Sequence, residues 1–146
     1  MKSIVSWAGP GSMSFAAQTQ SGHLVNMDGA PEGGGKNLAP RPMEMVLLGT
    51  GGCTAYDVVL ILKNSGQDIR ACDVTLEAER ADTDPKVFTR INFHFTVRGR
   101  NLRLSLVEHA IKRSHDKYCS ASIMIAKTAT ITHSVELIDD LTWAAT

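Results

Sequence analysis

Two thiols stand where chemistry could be done. Cys53 follows Gly49-Thr50-Gly51-Gly52 inside a long apolar stretch, and Cys119 closes the run His-Asp-Lys-Tyr just ahead of a serine-rich segment. Glycine in a helix costs about 1 kcal/mol relative to alanine. Three of them before Cys53 therefore predict a compensating close approach, either of a reacting ligand or of a packed backbone. A small buried hydrophobe is the other reading of Cys53, since free cysteines commonly serve that way. Cys119 sits where a helix begins, and the unpaired N–H groups there favour a thiolate. Lys117 and a protonated His115 would add to that effect. The third cysteine, Cys72, falls on the apolar face of a strand and reads as packing.

Other groupings are weaker. His115 and Cys119 are four residues apart and would need Cys53 to make even three metal ligands, so no metal site is expected. His23, His94, His109 and His133 are scattered along the chain. Tyr56 and Asp57 lie one turn beyond Cys53, where Asp57, if buried, needs a partner and reads as a structural anchor. Gly33-Gly34-Gly35 lacks the Lys-Ser/Thr of a phosphate loop, which argues against nucleotide binding.

The elements that must position these residues follow from periodicity. Residues 3–7, 12–18 and 23–27 read as a three-stranded meander broken by Gly9-Pro10-Gly11 and Ser21-Gly22. Residues 28–40 hold four glycines and two prolines and read as a mobile loop. Pro42 suits the first turn of a helix running to residue 62. That helix is apolar on every side, which marks it as buried in a fold or a membrane. Asp57 would cost about 2.5–3.5 kcal/mol near a bilayer centre, and the glycines and threonines lower the apolar drive, so a buried helix of a soluble protein is expected. Period-2 alternation then places Cys72, Val74, Leu76 and Ala78 on one face of a strand. In the next strand Ile91, Phe93, Phe95 and Val97 share a face, and the two form an antiparallel hairpin. Leu104, Val107, Ile111, Ser114 and Tyr118 recur at helical spacing. Ser120 and Ser122 are placed to cap a short third helix through Ala126, residues 128–138 alternate as a last strand, and the tail from Asp139 reads as surface. Strands clustered in antiparallel runs make the fold class α+β.

Composition narrows the function. A chain of 146 residues is long enough for one domain with its own core. Fifteen basic residues balance fifteen acidic ones, so no basic excess points to nucleic acid. Three cysteines are too few for a secreted disulfide framework. The opening MKSIVSWAGPGSM offers no apolar run of signal-peptide length before its Gly-Pro-Gly break, and the expected location is cytoplasmic.

The segment RPMEMVLLGTGGCTAYDVVLILKNSGQDI, followed 66 residues after its cysteine by that of HDKYCSAS, resembles the OsmC/Ohr family of thiol-dependent hydroperoxide reductases, most closely its small OsmC-like branch. The resemblance covers nearly the whole chain. It implies a single OsmC-like domain over residues 1–146, with antiparallel sheets packed around two long central helices in an intertwined homodimer whose sites lie at the subunit interface. It also implies a peroxidase of the oxidative stress response. Cys53 would attack an organic hydroperoxide or hydrogen peroxide and become a sulfenic acid. Cys119 would resolve it as a disulfide, which a lipoyl-type dithiol or small thiol reduces. Neither a cofactor nor a membrane belongs to this picture.

The family's peroxidases orient their thiolate with an arginine from the N-terminal strands and a glutamate at the start of the cysteine-bearing helix. Here no arginine precedes Arg41, and Glu44 lies nine residues before Cys53 where the family glutamate usually lies ten before, at Met43. Arg41 and Glu44 are accordingly the orienting candidates, with Arg90 a further source of positive charge. Two alternatives stay open. One is a non-catalytic redox-sensing or small-molecule-binding dimer of the same fold that lacks the activating arginine, and the other is a structural role for both thiols.

Overall fold

The computed structural model describes residues 1–140, and the part of the expected surface tail at 141–146 lies outside the described residues. The chain packs as two compact units, Met1–Leu48 and Gly49–Thr146.

In the first unit, β1 (Ile4–Trp7), β2 (Ser14–Gln18) and β3 (Leu24–Asp28) form the expected antiparallel meander. Trp7 pairs with Phe15, which pairs in turn with Met27. The loop after β3 differs from the mobile segment its glycines predict. Asp28 is 1 % exposed, and its carboxylate accepts backbone N–H groups from Gly29, Lys36 and Leu38 at 2.8, 3.0 and 3.1 Å. Gly35 closes the turn, since a Cβ there would lie 1.8 Å from the Gly29 carbonyl oxygen. One buried side chain thus gathers a segment with no periodicity of its own.

Helix α1 (Pro42–Asn64) begins where its proline predicts. From Gly49 onward it belongs to the second unit, where it buries Thr50, Gly51, Thr54, Val58 and Leu62. Gly51 permits the closest approach: a Cβ there would lie 2.5 Å from Leu76 Cδ1. The opposite side departs from the expectation of a buried helix. Tyr56 is 69 % and Leu60 43 % exposed, and a Cβ at Gly49 or Gly52 would meet nothing within 4 Å. Among the described residues this is the one helix long and apolar enough to cross a membrane.

The second sheet contains β4 (Asp68–Arg80), β5 (Phe88–Arg100) and β6 (Thr130–Asp139), with β5 in the middle. β4 and β5 form the hairpin, with Leu76 opposite Phe93 and Val74 opposite Phe95. β6 lies parallel to β5, Ile131 beside Ile91, so the sheet is mixed within the α+β architecture. A parallel neighbour requires a crossover, which the helices between β5 and β6 supply. Ile91, Phe93, Phe95 and Val97 are fully buried, as are Val107, Ala110 and Ile111 of α2 (Leu104–Arg113). Each such large side chain contributes about 1.5–3 kcal/mol when removed from water.

The α2 helix is shorter than its periodicity predicts. Ser114–Tyr118 widens into a π-turn closed by the Cys119 N–H on the Ser114 carbonyl at 2.8 Å. The wider turn rotates the register, which leaves Tyr118 48 % exposed while Ser114 is buried. It also delivers Cys119 to the start of α3 (Ser120–Ile125).

Candidate active site

Cys53 and Cys119 come together in the second unit although they lie on different elements. Cys53 is half-buried on α1, and Cys119 is fully buried at the N-cap of α3. The cap is the cysteine itself rather than either serine: the Ser122 N–H donates to Cys119 Sγ at 3.3 Å, and the Ser122 hydroxyl donates to the Cys119 carbonyl at 3.2 Å. The Thr54 hydroxyl donates to the same sulfur at 3.4 Å. Ser114, freed by the π-turn from its helical register, donates through Oγ to Asp57 Oδ2 at 2.8 Å. Asp57 therefore has the partner its burial demands. The sulfurs of Cys53 and Cys119 and a carboxylate oxygen of Asp57 all lie within 4.8 Å of one another.

This arrangement polarises the pair. Burial pushes the Cys53 thiol up, as do its hydrogen bond with Cys119 and the charge of Asp57, against a backbone N–H from Ala121. Burial acts the same way on Cys119, but hydrogen bonds from Cys53, Ser122 and Thr54 outweigh it and bring that thiol down. Cys119 collects donors, whereas Cys53 donates, so Cys119 is the thiol of the pair that ionises more readily. The strongest influences on Cys53 include no cation. The expected help from His115 is absent as well. Its ring lies edge-on to Phe93, 4.9 Å between centroids, and burial pulls its pKa down to about 4, so it is neutral at pH 7. Lys117 lies over the Tyr118 ring.

Arg41 and Glu44 are both exposed and belong to the first unit. The Arg41 N–H donates to Glu44 Oε2 at 2.9 Å, which is the reciprocal half of a capping box at the start of α1. Cys72 is half-buried on β4, and burial pushes its thiol up to about 11, as packing predicts. Thr54 and Ser122 are the residues that sequence reading passed over. The signal for Ser122 was its place three residues after Cys119, the spacing from an N-cap to the N–H it binds.

The sequence profile described as OsmC-like protein matches residues 33–134, a span that takes in both site cysteines. The chain belongs to the OsmC-like family. Its relatives include Protein YhfA of Escherichia coli strain K12, 44 % identical over 138 residues, which cover 94 % of this chain and 98 % of that protein. Among solved structures, a hypothetical protein of Aquifex aeolicus superposes with a TM-score of 0.82 at 22 % identity, over 95 % of this chain and 96 % of the other. An organic hydroperoxide resistance protein OsmC of Legionella pneumophila superposes with a TM-score of 0.66 at 18 % identity, over 93 % and 97 %. At these identities the two structures speak for the shared fold. The α+β architecture of this OsmC-like chain is theirs.

Proposed function

We propose that this OsmC-like protein reduces organic hydroperoxides or hydrogen peroxide with Cys53 and Cys119, as part of an oxidative stress response. The observation that carries the reading is the approach of the two sulfurs to within 4.8 Å from elements 66 residues apart. A disulfide requires such juxtaposition before the sulfurs close to about 2.05 Å. The family membership and the hydroperoxide resistance named for the Legionella relative support the same chemistry.

The shared proton gives the pair a route. Cys53 is the more accessible sulfur and attacks the terminal peroxide oxygen as its proton passes to Cys119. The O–O bond breaks, the leaving alkoxide takes that proton as an alcohol, and Cys53 is left as a sulfenic acid. Cys119, again a thiolate, displaces hydroxide from the Cys53 sulfur, and a solvent proton completes the water. A dithiol of lipoyl type, or a small thiol, then reduces the disulfide by exchange. This scheme uses neither Arg41 nor Glu44, which cap the start of α1.

The protein is further proposed to act as a homodimer in the cytoplasm. Gly49, Gly52, Tyr56 and Leu60 follow one another at intervals of three and four on the bare side of α1, so a second copy would cover an apolar stripe whose glycines admit a close helix.

The test is consumption of cumene hydroperoxide coupled to dihydrolipoamide, wild type against Cys53→Ser. Equal rates would sink the peroxidase. One observation favours a second reading, a redox-sensing dimer without turnover: burial raises the Cys53 thiol and no cation is among its strongest influences. Peroxide would then form the Cys53–Cys119 disulfide once per thiol pair with no catalytic consumption.

A further inference from the structure

The same cluster has the composition of a metal site. Cys53 and Asp57 are four residues apart and so share one face of α1, while Cys119 approaches from the N-cap of α3. Two sulfurs and one carboxylate oxygen lie within 4.8 Å of one another. In a tetrahedral zinc site, Zn–S bonds of about 2.3 Å and Zn–O bonds of about 2.0–2.2 Å set the ligand atoms a little under 4 Å apart. The cluster's span of at most 4.8 Å lies about an ångström outside that spacing. Soft thiolates select zinc and related thiophilic ions over magnesium or calcium.

Outer contacts complete the resemblance to a ligand set. Ser114 holds one oxygen of Asp57, and the Ser122 N–H and Thr54 hydroxyl both donate to the Cys119 sulfur. Such second contacts fix ligand orientation and stabilise thiolate sulfur. Charge points the same way. Three groups able to carry negative charge are gathered with no Lys, Arg or His ion pair to Asp57 among the described residues. The histidine beside Cys119 in sequence is not part of the set, because the nitrogens of His115 are buried beside Phe93 and His133 without a hydrogen-bond partner.

We propose that Cys53, Asp57 and Cys119 bind a thiophilic divalent cation, with Zn2+ as the favoured ion, leaving a fourth position open to water. Binding releases whatever thiol protons the two cysteines carry. Because the metal and a peroxide compete for the same sulfurs, a loaded site is protected from oxidation, and an oxidised pair cannot load. The metal site does not depend on the peroxidase reading, although the two share residues.

Cobalt is the probe. Reduced, metal-free protein titrated anaerobically with Co2+ is expected to develop a sulfur-to-cobalt charge-transfer band and the strong visible bands of tetrahedral coordination. Both should saturate at one ion per chain and be abolished by added Zn2+. Cys53→Ser and Cys119→Ser should each lose charge-transfer intensity, and Asp57→Asn should keep the band with affinity reduced at least ~10-fold. Ser114→Ala, which leaves every ligand in place, should weaken binding ~10- to 100-fold through misorientation of Asp57. Circular dichroism confirms that each variant is folded. No stoichiometric band in wild type, or Asp57→Asn binding as tightly as wild type, overturns the proposal. Hydroperoxide turnover by the metal-free protein is measured separately. Turnover without a cobalt band defeats the metal site alone, whereas a band without turnover supports the metal site and defeats the peroxidase.

Discussion

The hydroxyl of Thr54, the residue next to Cys53 in sequence, donates a hydrogen bond at 3.4 Å to the sulfur of Cys119, 65 positions further on. One helix therefore carries both the proposed attacking thiol and a donor to its partner's sulfur. The bond is buried, where a hydroxyl donor lowers the thiol's pKa with little screening.

Replacing Thr54 with valine keeps the shape and removes the donor. The Cys119 thiol is expected to titrate at a higher pH than in wild type, and peroxide-driven disulfide formation at neutral pH should slow. Loss of one buried hydrogen bond costs about 1 kcal/mol of stability, with more if the sulfur stays charged. Thiolate ultraviolet absorbance against pH reads the first effect, and urea unfolding reads the last.

Asp57→Asn acts on Cys53 with the opposite sign. The Asp57 charge raises the Cys53 thiol, whereas the asparagine carbonyl still accepts from Ser114. The variant should therefore ionise Cys53 at lower pH and react faster with iodoacetamide at pH 7. A slower reaction than wild type contradicts this account of the site.

Cys72 supplies the control. Its folded pKa is raised from 9.0 to about 11, chiefly by burial, so its protonated form is favoured by the fold. That contribution is fully present below pH 9 and is lost as pH rises through about 11. Wild-type stability should decline across that window more steeply than that of Cys72→Ser. Hydroperoxide consumption should be the same in both proteins.

Asp28 gives the acid limb. Backbone N–H groups, that of Leu38 foremost, hold its carboxyl below the usual 3.8 against the effect of burial. A depressed carboxylate stabilises the fold above its unfolded pKa, and that stability is lost as pH falls through the folded value. Thermal melts of wild type should therefore lose more between pH 5 and pH 3 than those of Asp28→Asn. At pH 7 the variant should melt lower, because the amide offers its neighbours one acceptor oxygen instead of two.

Much of the fold was legible because its signals are local. The alternation from Cys72 to Ala78 and from Ile91 to Val97 placed both hairpin strands, and Pro42 marked the first turn of α1. The π-turn at Ser114–Tyr118 was not legible, since nothing in its composition distinguishes it from a continuing helix. The loop after β3 was misread for a related reason: composition reports how freely a glycine-rich segment moves alone, not that one carboxylate, on Asp28, will bind it at three points.

The sequence by itself determined which thiols could matter, which elements carry them and which family the chain resembles, because periodicity, turn chemistry and motif spacing are written in neighbouring residues. Tertiary structure alone decided that Ser114 would hold Asp57, that Thr54 would reach Cys119, and that Cys119 would be the more readily ionised thiol of the pair. It also decided that, among the described residues, one side of α1 is covered and the side bearing Tyr56 and Leu60 is exposed. A thiol's proton and a helix's burial are set by what packs against them, and here Ser114 lies 57 residues from Asp57 and Thr54 lies 65 from Cys119 along the chain.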